Sequence, residues 1–329
     1  MKTTLRSVAM AINVLSLPGL AVCATTAHAQ GYPAKPVMLV VPFPAGGAVD
    51  IIGRMVGKKL GESLGQAVVI ENRAGAGTIV GASYVAKAAP DGYTLFISSG
   101  STFTVNPAIN ANLPYDPVKS FEPVGLVARV PLILLANRDV PVGNLKQMMS
   151  VVKAEPGKYA YGSFGNGTTG HFAGEMILAA TGMKLQHIPY KGSAPAIADL
   201  IGGQIPFSVD TIAASLPHIR SGKLKAIAVT GARRATSLPD VPTVAESGFP
   251  GFDADSWVAI VAPRGLSPDV KARLEKALAQ TMKDPDIRKQ LMANALEPSY
   301  AAPDQVSAMI EKDLPQMRAI AQKAGIQAN

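Results

Sequence analysis

The sequence predicts an α/β protein of two lobes with a cleft between them, and three observations predict it. Short apolar runs alternate with glycine-rich turns and helical patterns over residues 37–98. The same alternation starts again after residue 145. Two further apolar runs, residues 124–136 and 257–262, are placed to cross between the two sets. Strands that alternate with helices build a parallel sheet flanked by helices, so each lobe is expected to hold a mostly parallel sheet.

Each element has its own signal. Residues 37–43 form an apolar run bounded by prolines, which reads as a buried strand. Pro44-Ala45-Gly46-Gly47 is a turn, and residues 50–64 place Ile51, Ile52, Met55, Val56 and Leu60 on one side of a helix. Residues 67–71 and 93–98 are further strands, separated by Gly75-Ala76-Gly77 and a helix to about Ala88. In the second set, helices are expected at 145–154, 171–181, 194–202 and 214–221. Strands are expected at 159–163, 185–190, 205–209 and 224–230. Two amphipathic helices close the chain, at 268–283 and 303–324. The expected division is residues 30–130 as the first part of lobe 1, 131–251 as lobe 2, and 252–329 as the remainder of lobe 1.

The first 29 residues read as a leader. Lys2 and Arg6 precede an apolar stretch that ends in Ala27-His28-Ala29, the small-x-small pattern of a signal peptidase site. The stretch is too short, and too interrupted by Asn13, Pro18 and Gly19, to span a bilayer. Cleavage after Ala29 and a periplasmic location are expected. Cys23, the only cysteine of the 329 residues, would leave with the leader, so neither a disulfide nor thiol chemistry is expected. The remaining length buries enough surface to do without a disulfide and suits two modest domains. The formal charge of +8 is dispersed, with no lysine or arginine run longer than Lys58-Lys59 or Arg233-Arg234. Nucleic acid would want a concentrated basic patch, so it is not an expected partner. A mild positive field does favour the approach of an anion.

Two glycine-rich strand-to-helix turns carry the functional argument. One is Phe43-Pro44-Ala45-Gly46-Gly47, followed by Asp50; the other is Ser163-Phe164-Gly165-Asn166-Gly167-Thr168-Thr169, followed by His171. Glycine lets the backbone approach a ligand closely, and a helix start offers unpaired N–H groups and partial positive charge to an oxyanion. Asp50, Thr168 and Thr169 are equally suited to capping the helices, and His171 to a structural hydrogen bond. Facing each other across a cleft, the two turns would suit an oxyanion. A third turn, Gly75-Ala76-Gly77-Thr78-Ile79-Val80-Gly81, matches a dinucleotide fingerprint only weakly. It follows the second strand, and the next strand ends without an acidic residue. No cofactor is expected. Ser163 lacks the glycine of a nucleophile elbow. Past the leader, three histidines without close spacing and no cysteine leave no expected metal site.

With these residues in hand, the chain resembles the Bug proteins, the periplasmic solute-binding receptors of tripartite tricarboxylate transporters. The resemblance runs through residues 42–50, Glu71-Asn72-Arg73-Ala74-Gly75-Ala76-Gly77, Ala89-Pro90-Asp91-Gly92-Tyr93-Thr94, Tyr115-Asp116-Pro117, residues 161–171 and His187-Ile188-Pro189-Tyr190-Lys191-Gly192. It continues through Ala226-Ile227-Ala228-Val229-Thr230, Leu238-Pro239-Asp240-Val241-Pro242-Thr243-Val244-Ala245-Glu246 and Trp257. It implies a two-lobed type II periplasmic binding fold that closes on a hinge. It also implies a grip on one ligand carboxylate by the loops at 43–47 and 163–169, and delivery to transporter membrane subunits by an expected monomer. Thr78, Gly170 and Phe172 depart from the family pattern. The far end of the ligand would be read by residues 98–104, including Ser99 and Thr102, by Tyr190, Lys191 and their neighbours to 194, and by 210–212. Asp210 there suits either a ligand hydroxyl or ammonium group or a strand-end cap. A secreted hydrolase using Ser163 or His171, and a loaded receptor that docks on a signalling partner, are the alternatives.

Overall fold

A computed structural model describes residues 31–327, and the leader with its expected cleavage site lies outside them. The chain opens with β1 (Val37–Val41), an unbroken apolar strand of which all but Met38 is buried. It lies between β2 (Val68–Asn72) and β3 (Thr94–Ser99), parallel to both. Covered on both faces, such a strand can be apolar throughout. Helix α1 (Ala48–Leu64) packs Val49, Ile52, Val56, Leu60 and Leu64 against this sheet and ends on Gly65 in the left-handed region. Gly53, Gly57 and Gly61 run along its inner side. A Cβ at Gly61 would stand 2.9 Å from the Gln66 carbonyl, so the helix sits closer to the strands than alanine would allow.

After α2 (Ile79–Ala86) and β3, the chain makes a single π turn over Ser101–Val105 and a short helix α3 (Asn106–Ile109). The apolar run 124–136 is two strands, not one. β4 (Phe121–Val130) belongs to the first sheet, and β5 (Leu132–Asn137) to the second. Between them stands Pro131, which has no N–H to give to a ladder. The second sheet then gathers α4 (Leu145–Ala154), β6 (Ala160–Ser163), α5 (Thr169–Thr181), β7 (Gln186–Pro189), α6 (Ser193–Ile201), β8 (Phe207–Thr211), α7 (Ile212–Arg220) and β9 (Leu224–Val229). The chain returns to the first sheet through β10 (Ser256–Pro263) and ends with α8 (Pro268–Lys283), α9 (Pro285–Ala293), β11 (Glu297–Ala301) and α10 (Pro303–Ala324).

The first sheet has the order β11-β4-β10-β3-β1-β2 and the second β7-β6-β8-β5-β9. Each has a parallel core of three strands, as the alternation predicts. Each is completed by antiparallel strands that adjoin the crossings. The two sheets are therefore mixed, because a strand that arrives from the other lobe enters in the opposite sense. The crossings lie side by side. Ser256 pairs with Val130 in register, and Thr230 N–H donates to the Leu132 carbonyl at 3.0 Å.

Candidate functional site

The first glycine-rich loop leads from β1 into α1, and Asp50 holds it from behind. Asp50 is buried. Its Oδ2 accepts from Gly46 N–H and from Arg54 Nε, each at 2.9 Å, and its Oδ1 from Asn72 Nδ2 at 2.9 Å. Asn72 Nδ2 also donates to the Phe43 carbonyl at 3.0 Å. Burial pushes the Asp50 carboxyl up, but the bonds from Arg54, Gly46 and Asn72 outweigh it and hold the group below its usual range. Gly46 supplies the left-handed turn, at φ 88°. The helix itself begins at Gly47 without a side-chain cap, so its first N–H groups remain free for a ligand.

The second loop leads from β6 into α5 and is tied by its own hydroxyls. Thr168 caps α5 by accepting from His171 N–H, and its Oγ1 donates to the Gly165 carbonyl at 2.6 Å. Ser163 Oγ is fully buried, 2.8 Å from His187 Nε2. The His187 ring stacks on His171 at 4.1 Å and on Tyr161 at 4.9 Å. Burial pushes His171 down to about 4. Burial, with the neighbouring His171, pushes His187 down to about 3, so both rings are neutral at pH 7. His187 Nδ1 has no partner among the described residues, and no carboxylate orients that ring. The Ser163–His187 contact thus lacks the third member of a catalytic triad.

The lobes meet along this line. Thr169 N–H donates to Ser101 Oγ at 3.0 Å, and the rings of Phe43 and Phe164 pack edge to face at 6.3 Å. Gly192 lies against Pro44, where a Cβ would stand 3.0 Å from the ring. Gly170, where the family pattern differs, is required by the same packing: a Cβ there would run into the Phe164 ring.

Two adjoining hollows flank the contact. The inner one is lined by Phe43, Ala45, Gly47, Ser99 and Thr169 among the residues expected at the site. The outer one takes Gly165, Asn166, Gly167, Thr168, Tyr190 and Lys191, and shares Phe43. Gly46, Asp50, Thr102, Ser163, His171 and Asp210 line neither hollow. In each, at least part of the side chain or the N–H is bonded inside its own lobe. Thr102 Oγ1, for example, is bonded to Ser98 and Thr78 at 2.6 and 2.7 Å.

The inner cavity also has walls that the motifs did not announce. Val130, Ser256 and Val258, on the crossing strands, line it. So do Ser193, Ala194 and Pro195 at the start of α6 and Thr211 at the start of α7. Helix α6 begins at Gly192, again without a side-chain cap, whereas Thr211 caps α7. No lysine or arginine among the described residues lines this cavity. Free helix N–H groups and hydroxyls in an otherwise apolar wall can hold an anion without a cation.

Comparison with known proteins agrees with the two-lobed fold. Residues 52–326 match the family described as tripartite tricarboxylate transporter family receptor. The protein BugT of Bordetella pertussis is 36% identical over 303 residues, covering 92% of this chain and 93% of its own. The periplasmic binding protein BugD has a similar structure, with a TM-score of 0.86 and 38% identity over 90% of this chain and 99% of its own. Rpa4515 of R. palustris, solved with adipate, gives a TM-score of 0.87 and 34% identity over 90% of this chain and 99% of its own.

Proposed function

This chain belongs to the tripartite tricarboxylate transporter receptor family, and from that premise we propose that its inner cavity captures a small carboxylate for delivery to the membrane subunits of such a transporter. The family is one of receptors rather than enzymes. The observation that carries the reading is the uncapped start of α1, which opens into a cavity shared by both lobes and free of cationic side chains. The ligand carboxylate sits at Gly47, Ala48 and Val49 and takes up their free N–H groups. The loop at Thr169, bonded to Ser101 across the cleft, closes over it. The adipate held by Rpa4515 supports a carboxylate as the class of ligand. In the same reading the chain is exported, cleaved after Ala29 and works as a monomer, with residues 30–130 and 252–329 forming one lobe and 131–251 the other.

Thermal unfolding against succinate, adipate, benzoate and 4-hydroxybenzoate, each beside its amide, tests this. A ligand at about 100 times its Kd adds about 2.7 kcal/mol to native stability, which raises the midpoint by a few degrees. The expected result is a rise with at least one acid and none with its amide. Equal shifts with acid and amide would overturn the placement of a carboxylate at the helix start.

A further inference from the structure

The two ends of the inner cavity differ in how the protein's own carboxylates are compensated. At the α1 end, Asp50 is paired with Arg54 at 2.9 Å, so the free N–H groups act beside a nearly neutral pair. At the lobe 2 end, Asp210 closes β8 between the starts of α6 and α7, fully buried, and makes no ion pair with a described cation. Its Oδ1 accepts from Ser193 Oγ at 2.6 Å, Thr211 N–H at 2.7 Å and Thr211 Oγ1 at 3.4 Å. Its Oδ2 is buried and has no hydrogen-bond partner among the described residues.

Ser193 and Thr211 line the cavity, and their hydroxyl protons point to Asp210. One lone pair of Thr211 Oγ1 is also engaged, by Ala214 N–H at 3.3 Å. What the hydroxyls of this wall turn toward a ligand is therefore the acceptor side of Ser193 Oγ, backed by a carboxylate without an ion-pair partner and beside the uncapped start of α6. The dipole of α6 is already answered by Asp210, one hydrogen bond from the helix's first residue. A second ionised carboxylate placed here would meet a like charge and an acceptor, with no cation to offset either.

We propose that the ligand carries, at the end opposite its carboxylate, a hydrogen-bond donor, either a hydroxyl or an ammonium group, rather than a second carboxylate. This rests on the reading of the cavity as a carboxylate site. Ser193 Oγ is the group that accepts from the ligand, and Asp210 is a positioning residue that fixes the direction of the Ser193 hydroxyl. Burial pushes the Asp210 carboxyl up to about 6, which leaves it ionised at neutral pH and able to act in this way.

Isothermal titration at pH 7.5 with two length-matched series tests the proposal: hexanoate, 6-hydroxyhexanoate, 6-aminohexanoate and adipate, and benzoate, 4-hydroxybenzoate, 4-aminomethylbenzoate and terephthalate. In at least one series the hydroxyl or ammonium member binds roughly tenfold tighter than the diacid, the order expected when a buried acceptor gains its donor. The hydroxyl and ammonium arms show which donor the wall prefers. Asp210→Asn, which frees the hydroxyl direction and removes the charge, narrows that ratio to within about threefold. Ser193→Ala, which removes the acceptor, narrows it likewise and serves where Asp210→Asn does not fold. A diacid that binds as tightly as its donor-tipped partners, or a ratio unchanged in Ser193→Ala, overturns the inference and leaves the carboxylate reading standing. No binding by any member of either series overturns both.

Discussion

Both oxygens of the Asp50 carboxylate are occupied in holding the first loop, and the weights of its three partners differ. Arg54 is about half exposed, with 53% of its side-chain surface open, so its ion pair is worth under about 1 kcal/mol. The bonds from Gly46 N–H and Asn72 lie at the buried end, and leaving such groups unpaired costs about 1–3 kcal/mol. Asp50→Ala is therefore expected to lower stability in urea by about 1–3 kcal/mol, and Arg54→Ala by less than about 1. An equal loss in the two variants would show that the ion pair, not the loop brace, carries Asp50. The two stacked histidines make a second residue-scale prediction. Their folded values, about 4 and about 3, lie below the free value of 6.5. Their neutral forms contribute stability that is present above pH 6.5 and lost as pH falls toward 4 and 3. Asp210, raised from 3.8 to about 6, acts in the opposite sense, and its contribution is lost as pH rises across that window. The two histidines contribute a fall of the unfolding midpoint from pH 6.5 to pH 4.5. His187→Gln should flatten that fall, and a slope unchanged by the substitution would contradict the assignment.

The helix start is the element on which the function is argued, and α1 and α5 begin in opposite ways. Thr168 caps α5 with its own oxygen, while α1 starts bare at Gly47. Gly47 is extended, at φ −80° and ψ 167°, and a Cβ there would meet nothing closer than the Pro44 carbonyl at 3.9 Å. An aspartate therefore fits, and as an N-cap it exceeds glycine by a few tenths of a kcal/mol. Gly47→Asp should fold at least as stably as the parent by urea denaturation, with its own carboxylate in the ligand's place. A loss of more than about 1 kcal/mol would mean that the start of α1 is not free. Elements with a strong period were legible in the sequence: α4, α8 and α10 have the bounds that their apolar spacing sets. α9 and β11 were not. In α9 only Ile287 and Leu291 are buried, too few to show a stripe, and β11 is five residues with a proline at its second position. The site was legible in the same uneven way. Glycine-rich turns mark where backbone approaches closely, and Phe43, Gly47 and Thr169 of those turns line the inner cavity. Such turns say nothing of which side chains are consumed nearby, and Asp50, Thr102 and Ser163, all among the expected site residues, are each bonded within their own lobe. Ser193, Ser256 and Val258 come together only through the crossing of the lobes, which no local pattern records.

At the scale of the whole molecule, one residue without an N–H decides where the sheets part. Pro131 divides an apolar run that would otherwise read as one strand, and the return at Thr230 and Ser256 lies beside it. The crossing strands form the floor of the inner cavity through Val130, Ser256 and Val258, so a ligand there touches both lobes and the strands that join them. A ligand held there would couple binding to the relative position of the lobes, and Thr169 to Ser101 is a hydrogen bond between them. The most direct measurement is isothermal titration of the wild type and of Gly47→Asp with whichever of the acids above raises the unfolding midpoint, beside its amide. The account predicts binding of the acid and not the amide by the wild type, and at least a tenfold weaker affinity in Gly47→Asp, because a fixed carboxylate already occupies the α1 start. Affinity retained in a folded Gly47→Asp would contradict the claim that the helix start holds the ligand.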